Sequence, residues 1–421
     1  MQAEPFFGWR VVAAVFTLAV FGWGLGFYGP PIVLHAVHEA RGWSLPLVST
    51  AITVHFLLGA GFVASLAGLS ARFGMSALVR AVALSAALGG VGWALAVAPW
   101  QLMLASVLTA FGWATMGAAA VNALVTPWFV TKRPAALASA YNGASVGGIV
   151  FSPLLVWLIA NLGLPAAMAA VGLVTVVVLW WAAARYFKPT PSDLGLLPDG
   201  GVAATASATA APARPETAPP LRNDALWQDH RFQLLVAGMS LGLFAQVGMI
   251  AHLYSLLVPA MGAQGAGFVA GAATIAAISG RTVSGWVLNR GGDRARFAAA
   301  SYGVQIAGLV MFLLAEGENV PLLLAGVAMF GLGIGNAISL PPLIAQAAFR
   351  PADTARVVPM IVAVSQATYA LAPAAFALLR TEPASGAAPL LFLAASALKA
   401  AAILCLLAIR RAVRGGTALS G

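Results

Sequence analysis

Long apolar runs that are almost free of charge constrain the fold of this chain more than any other feature. They predict twelve membrane-spanning helices, at about 10–34, 45–70, 77–97, 101–126, 135–160, 164–186, 232–258, 267–289, 296–315, 320–347, 356–379 and 388–409. At 1.5 Å per residue, a helix of about 20 residues crosses the roughly 30 Å hydrocarbon core of a bilayer. Because backbone groups in lipid must pair within each span, the sequence predicts an all-α membrane protein.

The composition excludes a soluble enzyme and most cofactor sites. Only 8% of the residues are charged and the mean hydropathy is +0.92, whereas soluble domains carry about 25% charged residues. The single cysteine, Cys405, allows neither a disulfide framework nor a thiolate metal site. Gly331-x-Gly333-x-Gly335 lacks the preceding strand and following acid of a nucleotide loop. We therefore expect no enzyme activity, no metal, no cofactor and no ATP-driven step.

The basic residues predict the orientation. The net charge of +10 is scattered over short loops, which favours a lipid bilayer over nucleic acid as the partner. If both termini are cytoplasmic, 18 of the 22 lysines and arginines lie on the cytoplasmic side, and Arg41 and Arg380 face outward. Arg281 and Lys399 are left inside predicted spans. The prediction is a multi-pass inner-membrane protein with both ends inside the cell.

The chain repeats itself once. Landmarks recur at offsets of 217 to 220 residues: Arg72 and Arg290, Phe111-Gly112 and Phe330-Gly331, Arg133 and Arg350, Pro153 and Pro373. We predict two six-helix bundles, 1–187 and 231–421, joined by a cytoplasmic linker at 188–230 that is rich in alanine, threonine and proline. Parallel repeats of this kind place a binding site near the membrane midplane, between the halves.

One loop carries a family resemblance. Ala67-Gly-Leu-Ser-Ala-Arg72-Phe-Gly74 resembles the Gly-x-x-x-Asp-Arg-x-Gly signature of the major facilitator superfamily, with a second copy around Arg290. The resemblance implies that fold, with Arg72, Gly74 and Arg290 in the conformational gate. The acidic position is Ala71 here and Asn289 in the second copy. A different contact from the family's charge latch must then close the cytoplasmic side.

Within the superfamily, the chain is similar to the monocarboxylate-porter and oxalate–formate-antiporter branch. The segments that carry this similarity are Gly24-Leu-Gly-Phe-Tyr28-Gly29, Arg41-Gly42-Trp43-Ser44, Pro127-Trp128-Phe129, Asn142-Gly143-Ala-Ser-Val-Gly147-Gly148, Arg281-x-x-x-Gly285 and Asp193-Leu-Gly-Leu-Leu-Pro198-Asp-Gly200. In that branch the arginine of the eighth span resembles a ligand of the substrate carboxylate, which implies this role for Arg281. Some members add a lysine in span eleven, and this chain has none there.

The position of Arg281 leads to the same hypothesis from elementary physical chemistry. It lies within the apolar run 268–288, where a guanidinium costs roughly 2.5–3.5 kcal/mol to insert. Its neighbours Gly280, Ser284 and Gly285 are small residues, and its own helix holds no acid. We hypothesise that the offsetting anion is the ligand. The alternative is a structural arginine that donates to backbone carbonyls of other helices.

All twelve carboxylates fall in predicted loops or at span ends, whereas exporters of cationic drugs need a buried acid. Other polar residues are candidates for the substrate path or for helix–helix contacts: Tyr28, Asn122, Tyr141, Asn142, Gln246, His252, Asn336, Gln366 and Tyr369. His252 and His55 are candidates for proton coupling or for packing. Lys399 is expected to snorkel, to pair with a polar group of another helix or to reach the cavity.

The sequence therefore predicts a secondary transporter, acting as a monomer, that moves a small organic anion by alternating access. A monocarboxylate is the expected substrate class, with proton symport or anion exchange as the coupling. The alternatives are a proton-coupled exporter of drugs or other hydrophobic compounds, and a transporter-like receptor. The exact substrate, the direction and the coupling ion stay open.

Overall fold

The computed structural model describes residues 6–200, 223–380 and 385–418, and the regular structure in these ranges is helical. The first half contains α1 (Phe7–Trp23), a π-helical turn (Gly24–Tyr28), α2 (Gly29–Arg41), α3 (Leu45–Phe73), α4 (Met75–Leu95), α5 (Pro99–Met116), α6 (Ala118–Val125), α7 (Arg133–Leu162) and α8 (Leu164–Tyr186). The second half contains α9 (Asn223–Gln228), α10 (His230–Asn289), α11 (Arg294–Ala315), α12 (Val320–Ala348), α13 (Pro351–Ala370), α14 (Ala372–Ala377) and α15 (Pro389–Ala418). Most of the predicted linker, 201–222, lies outside the described residues.

The helices confirm the predicted all-α membrane fold with twelve spans. Eleven described segments are long and apolar enough to cross a bilayer, but one of them, 230–288, has 59 residues. An uninterrupted helix of that length would measure about 90 Å, three times the hydrocarbon thickness. Gly262 interrupts it with φ 68° and ψ 168°, so 230–261 and 263–289 are two spans. The loop predicted between 258 and 267 is thus wrong, because helical geometry extends to either side of this single residue.

The first span contains a distortion that its prolines explain. In a regular α-helix the carbonyl of Gly26 would accept from the backbone nitrogen of residue 30, but Pro30 and Pro31 carry no N–H. The chain forms the π-helical turn Gly24–Tyr28 immediately before them. The distortion of the first span therefore takes the form of a π-helical turn.

The chain divides into two compact units, Met1–Ser44 with Val54–Ala213, and Leu45–Thr53 with Arg214–Gly421. In the first unit α7 packs on α1, and α4 packs on α5 and α8. A Cβ added at Gly143 or Gly147 would overlap the carbonyl oxygen of Phe16 or Val20, so glycine is what lets α7 lie directly on α1. In the second unit α10 packs on α12, α13 and α15, and α11 packs on α12 and α15.

The break at Gly262 gives the first prediction. Its φ and ψ lie in a region that is essentially restricted to glycine, and an added Cβ would meet no atom within 4 Å. Gly262→Ala should therefore lower the free energy of unfolding by about 1 to 3 kcal/mol through backbone strain alone. Thermal unfolding of the purified protein in detergent measures it.

Gly303→Ala is the matched control, because Gly303 lies in the middle of α11 with ordinary helical geometry and also has open space around it. It should be neutral or stabilise the protein by up to about 1 kcal/mol. Equal effects of the two substitutions would contradict the assignment of Gly262 as a strained break.

Candidate functional site

Three helices of the second unit meet at residues 330–336 of α12, which we call the glycine turn. An added Cβ at Gly331 would lie 2.7 Å from the carbonyl oxygen of Ala273 in α10. A Cβ at Gly280 of α10 would overlap the carbonyl oxygen of Leu332. The backbones of α10 and α12 are therefore in direct contact here, which any larger residue at these positions would prevent.

Arg281 lies at this contact. A Cβ at Gly335 would lie 2.6 Å from Cδ and 2.7 Å from Nε of Arg281, so the arginine side chain occupies the space that Gly335 leaves free. Arg281 is half-buried. The structure thus fixes the course of this side chain by packing it against the backbone of α12, as positioning of a charged group requires.

Asn336, the last residue of the glycine turn, is buried and incompletely bonded. Its Nδ2 donates to Oγ of Ser301 in α11 at 3.2 Å. Its Oδ1 is buried without a hydrogen-bond partner in the structure. An unsatisfied buried acceptor costs about 1 to 3 kcal/mol, so this atom retains capacity for a donor.

Gln246 belongs to a buried chain of amides rather than to an open surface. Its Nε2 donates to the carbonyl of Ile334 in the glycine turn at 3.2 Å, and its Oε1 accepts from Nε2 of Gln305 at 3.1 Å. Lys399 ends the chain, because its Nζ donates to Oε1 of Gln305 at 2.6 Å. The arrangement fits the helix–helix alternative for Gln246, and Lys399 pairs with another helix instead of snorkelling.

His252 is also buried, at 1% exposure, in α10. Its Nε2 lies 3.0 Å from the carbonyl oxygen of Pro373 in α14. Ser255, one turn further, donates to the carbonyl of His252 and accepts from Nη1 of Arg380 at 2.6 Å. His252 thus ties α10 to α14 beside a buried arginine.

The two candidates on α13 lie close together but differ in their surroundings. Tyr369 is half-buried and packs against the apolar cluster that includes Leu243 and Leu340. Gln366 is half-buried, one residue after Ser365, whose hydroxyl lies 3.2 Å from that of Ser240.

In the first unit the structure joins two of the predicted residues directly. Nδ2 of Asn122 donates to the hydroxyl of Tyr141 at 2.6 Å, and that hydroxyl donates to the carbonyl of Ala118 at 3.1 Å. The ring of Tyr141 packs edge-on against Trp23, with 6.1 Å between centroids. Asn142 follows Tyr141 on α7 and is exposed at the surface of the unit.

Tyr28 ends the π-helical turn and lies half-buried against the ring of Phe27, with 5.1 Å between centroids. His55 of α3 supplies the hydrogen bond that the prolines remove. Its Nε2 lies 2.8 Å from the carbonyl oxygen of Gly26, and its Nδ1 lies 2.9 Å from the hydroxyl of Thr109. A neutral imidazole protonated on Nε2 donates to Gly26, and its Nδ1 is then an acceptor for the Thr109 hydroxyl, whose one hydrogen also lies within reach of the carbonyl oxygen of Ser106 at 3.1 Å. His55 therefore has the geometry of the packing alternative.

The predicted gate residues lie at two helix connections. The guanidinium of Arg72 lies over the ring of Phe73 at 5.1 Å, and that of Arg290 lies over Trp286 at 3.6 Å. Gly74, with φ 77°, forms the turn between α3 and α4. In the second copy the left-handed residue is Gly291, with φ 84°, and not Gly292, to which the repeat aligns Gly74.

The second copy also carries an acid one residue after the motif. Asp293 caps α11 by accepting from the N–H groups of Ala295 and Arg296. Nε of Arg410 in α15 donates to the same carboxylate at 2.5 Å. This ion pair ties the connection to the last helix. The aligned position in the first copy is Met75, so the two connections are held differently.

The segment after α8 contains a contact that the sequence did not reveal. The carboxylate of Asp199 accepts from the backbone N–H groups of Val130, Thr131 and Lys132 at 2.7 to 3.1 Å. Partial burial raises the pKa of Asp199, but these three donors outweigh it and leave the pKa below the usual value. The chain after α8 is thereby fastened to the connection that precedes α7.

The bond between His55 and Gly26 gives the second prediction. His55→Leu leaves a buried carbonyl without a donor and should lower the free energy of unfolding by about 1 to 3 kcal/mol. His55→Gln, whose amide can donate to Gly26, should lose clearly less. Thermal unfolding measures both, and a loss of the same size in the two variants would contradict the role of the imidazole as a donor.

Comparisons with known proteins agree on the fold. The chain matches the family model of the Major Facilitator Superfamily over residues 12–377. None of the curated proteins matches it significantly in sequence. Among solved structures, the nucleoside transporter NupG has a TM-score of 0.69 at 11% identity, covering 96% of this chain and 99% of that one. A bacterial homologue of the human lysosomal transporter Spinster, inward-facing and occupied, has a TM-score of 0.65 at 14% identity, covering 98% and 96%.

Proposed function

Because the chain belongs to the major facilitator superfamily, we propose that it is a secondary transporter of a small organic anion, with a monocarboxylate as the substrate class. It moves the anion across the inner membrane by alternating access, with both termini in the cytoplasm and with proton symport or anion exchange as the coupling. We propose that it belongs to the monocarboxylate-porter and oxalate–formate-antiporter branch, which its sequence resembles.

The packing of Arg281 against Gly335 is the observation that carries this proposal. It holds a permanently charged guanidinium in a fixed direction inside an apolar span. A guanidinium presents a planar fork of donors that matches a carboxylate in two parallel hydrogen bonds. Arg281 is therefore the proposed ligand of the substrate carboxylate, and the side chain of Asn336 lies in the same turn of α12.

The positions of the acids favour an anion over a cationic drug. Among the described residues, the aspartates and glutamates lie in connections, at helix caps or within a turn or so of a helix end. Glu39 lies two residues before the end of α2, and Asp353 lies in the first turn of α13, in an ion pair with Arg350. A cation carrier would need a carboxylate deeper within a span. The alternative function, export of cationic compounds, therefore has less support in the described part of the chain.

In the first unit, the hydrogen-bonded pair of Asn122 and Tyr141 is the proposed second contact of the substrate path. The pair lies at the surface of its unit, with Asn122 exposed and Asn142 exposed beside it. Tyr28 contributes a further hydroxyl at the π-helical turn. Nothing in the similar solved structures bears on these roles, because identities of 11 to 14% show the fold alone.

Transport by purified protein gives the third prediction. In proteoliposomes, uptake of labelled lactate or pyruvate should fall about 10- to 100-fold in Arg281→Ala, the loss expected for charge-assisted hydrogen bonds of about 1.5 to 3 kcal/mol. Arg296→Ala, which removes an exposed arginine at the start of α11, is the control and should transport normally. Undiminished uptake by Arg281→Ala would falsify the assignment.

Labelled uridine serves as a neutral comparison substrate in the same assay, since one similar fold belongs to a nucleoside transporter. We expect no uptake of uridine by the wild-type protein. Uptake of uridine without uptake of either carboxylate would overturn the proposed substrate class.

Gly335→Ala gives the fourth prediction, because it keeps the positive charge of Arg281 but displaces the guanidinium. The added Cβ would lie within 2.7 Å of Nε and closer still to the stem of Arg281, so the side chain must shift. Half-maximal uptake of lactate should then require a higher concentration, by several-fold, with less loss than in Arg281→Ala. Gly303→Ala, in the same unit, is the control. An unchanged concentration dependence would show that Gly335 does not position Arg281.

A further inference from the structure

Lys399 is a fully buried lysine with no carboxylate partner among the described residues. Its side chain has 0% exposure inside the second unit, independently of any lipid. Its Nζ donates to Oε1 of Gln305 at 2.6 Å and more weakly to the carbonyl of Gly242 at 3.4 Å. The rings of Tyr302 and Phe330 lie 5.0 and 5.3 Å from it. A charge desolvated to this degree normally has an anion beside it, because attraction must offset the loss of hydration.

The surroundings hold the lysine through neutral amides alone. From α11, the titratable group that faces Nζ is the phenol of Tyr302. From α10 the neighbour is the carbonyl of Gly242, and from α12 it is the ring of Phe330. Among the described side chains of α15, the titratable group nearest to Lys399 in sequence is Cys405, whose Cβ would lie 3.3 Å from a Cβ added at Gly238. A lysine with these neighbours can exist as ammonium or as neutral amine without breaking an ion pair.

The direction of the amide chain depends on the charge of Lys399. An ammonium has donors only, so Gln305 must turn its oxygen toward Nζ and its nitrogen away. That nitrogen donates to Oε1 of Gln246 and to the carbonyl of Phe330, each at 3.1 Å. Gln246 must then use its own nitrogen on the carbonyl of Ile334. The orientation of two side chains in sequence is therefore set by one positive charge.

The chain of amides that begins at Lys399 reaches α12 at the glycine turn, where Arg281 is also packed. Phe330 and Ile334 belong to the glycine turn, as does Gly335, on which the stem of Arg281 lies. Gly333 has no side chain because Gln305 occupies that space, at 2.5 Å from an added Cβ to Cδ of the glutamine. The same seven residues of α12 thus contact the amide chain on one side and the proposed substrate ligand on another.

We propose that Lys399 is a proton-binding site and that its charge state is passed through Gln305 and Gln246 to the glycine turn of α12. On release, one N–H bond of Nζ breaks, the electron pair stays on nitrogen and the proton passes to water. The amine then holds the oxygen of Gln305 less strongly, since a charge-assisted hydrogen bond is about twice as strong as a neutral one. Gln305 and Gln246 become free to turn, and their hold on α12 changes.

The use of this site to couple protons to transport rests on the proposed function, whereas proton binding by Lys399 does not. The ligand is the proton itself. In a symporter the arriving proton would restore the ammonium, lock the amide chain and fix the glycine turn beside Arg281. Proton binding at Lys399 would then be coupled to transport through the position of α12, without contact between the lysine and the substrate.

Nitrogen NMR of the full-length protein in lipid tests the inference without any substrate. The chain has three lysines, Lys132, Lys188 and Lys399, so labelling lysine side chains with ¹⁵N gives three signals. Lys132→Arg and Lys188→Arg, both outside the helices, assign the remaining signal to Lys399 without disturbing the bundle. The signals of the two loop lysines serve as internal chemical-shift references.

The Lys399 signal should change from ammonium to amine within the pH range over which the protein stays folded, because no carboxylate among the described residues holds the charge. Labelled side-chain amides of Gln305 and Gln246 should shift with the same midpoint. In Gln305→Glu, which places a carboxylate beside Nζ at nearly unchanged volume, the lysine should stay ammonium across that range. A Lys399 signal that does not change in the wild type would overturn the proton site, and amide signals that do not follow it would overturn the relay.

Discussion

A bundle that crosses a membrane must pair its polar atoms within itself, and this constraint governs the interior of both units. Three of the buried polar side chains bond to backbone carbonyls of other elements. His55 bonds to Gly26, His252 to Pro373 and Gln246 to Ile334. Each of these contacts joins two helices and removes an unpaired atom, which would cost about 1 to 3 kcal/mol if left alone. The polar residues therefore determine how helices are arranged as well as what they could bind.

In the second unit, several contacts between helices meet at the glycine turn of α12. Glycines at 331, 333 and 335 each admit a different neighbour, namely the backbone of α10, the amide of Gln305 and the stem of Arg281. Half-buried Arg281 and fully buried Lys399 are thereby placed around one short stretch of helix. Arg281 keeps its charge under all ordinary conditions, whereas a lysine can lose its charge. If the proposals hold, the arginine binds the anion and the lysine carries the change of charge.

Composition and hydropathy were enough to predict the helices and the number of spans, because burying an unpaired backbone in lipid leaves few alternatives. The same signals misplaced the connection after 258, since a proline, two glycines and a glutamine at 259–265 resemble a loop while Gly262 alone makes the break. The pairing of Asn122 with Tyr141 and of Gln246 with Gln305 could not be predicted, because it depends on how distant helices are placed. The role of His55 was easier to predict from the sequence, since the prolines at 30 and 31 already leave the carbonyl of Gly26 without a donor.

The π-helical turn between α1 and α2 has a consequence for the whole outer part of the first span. A π turn holds one residue more than an α turn, and each residue advances the helix by about 100°. The sides of α2 are therefore rotated by roughly that angle relative to a helical wheel continued from α1. Removing one residue from Gly24–Tyr28 would restore uniform winding and turn the segment 29–41 to present a different side to its neighbours.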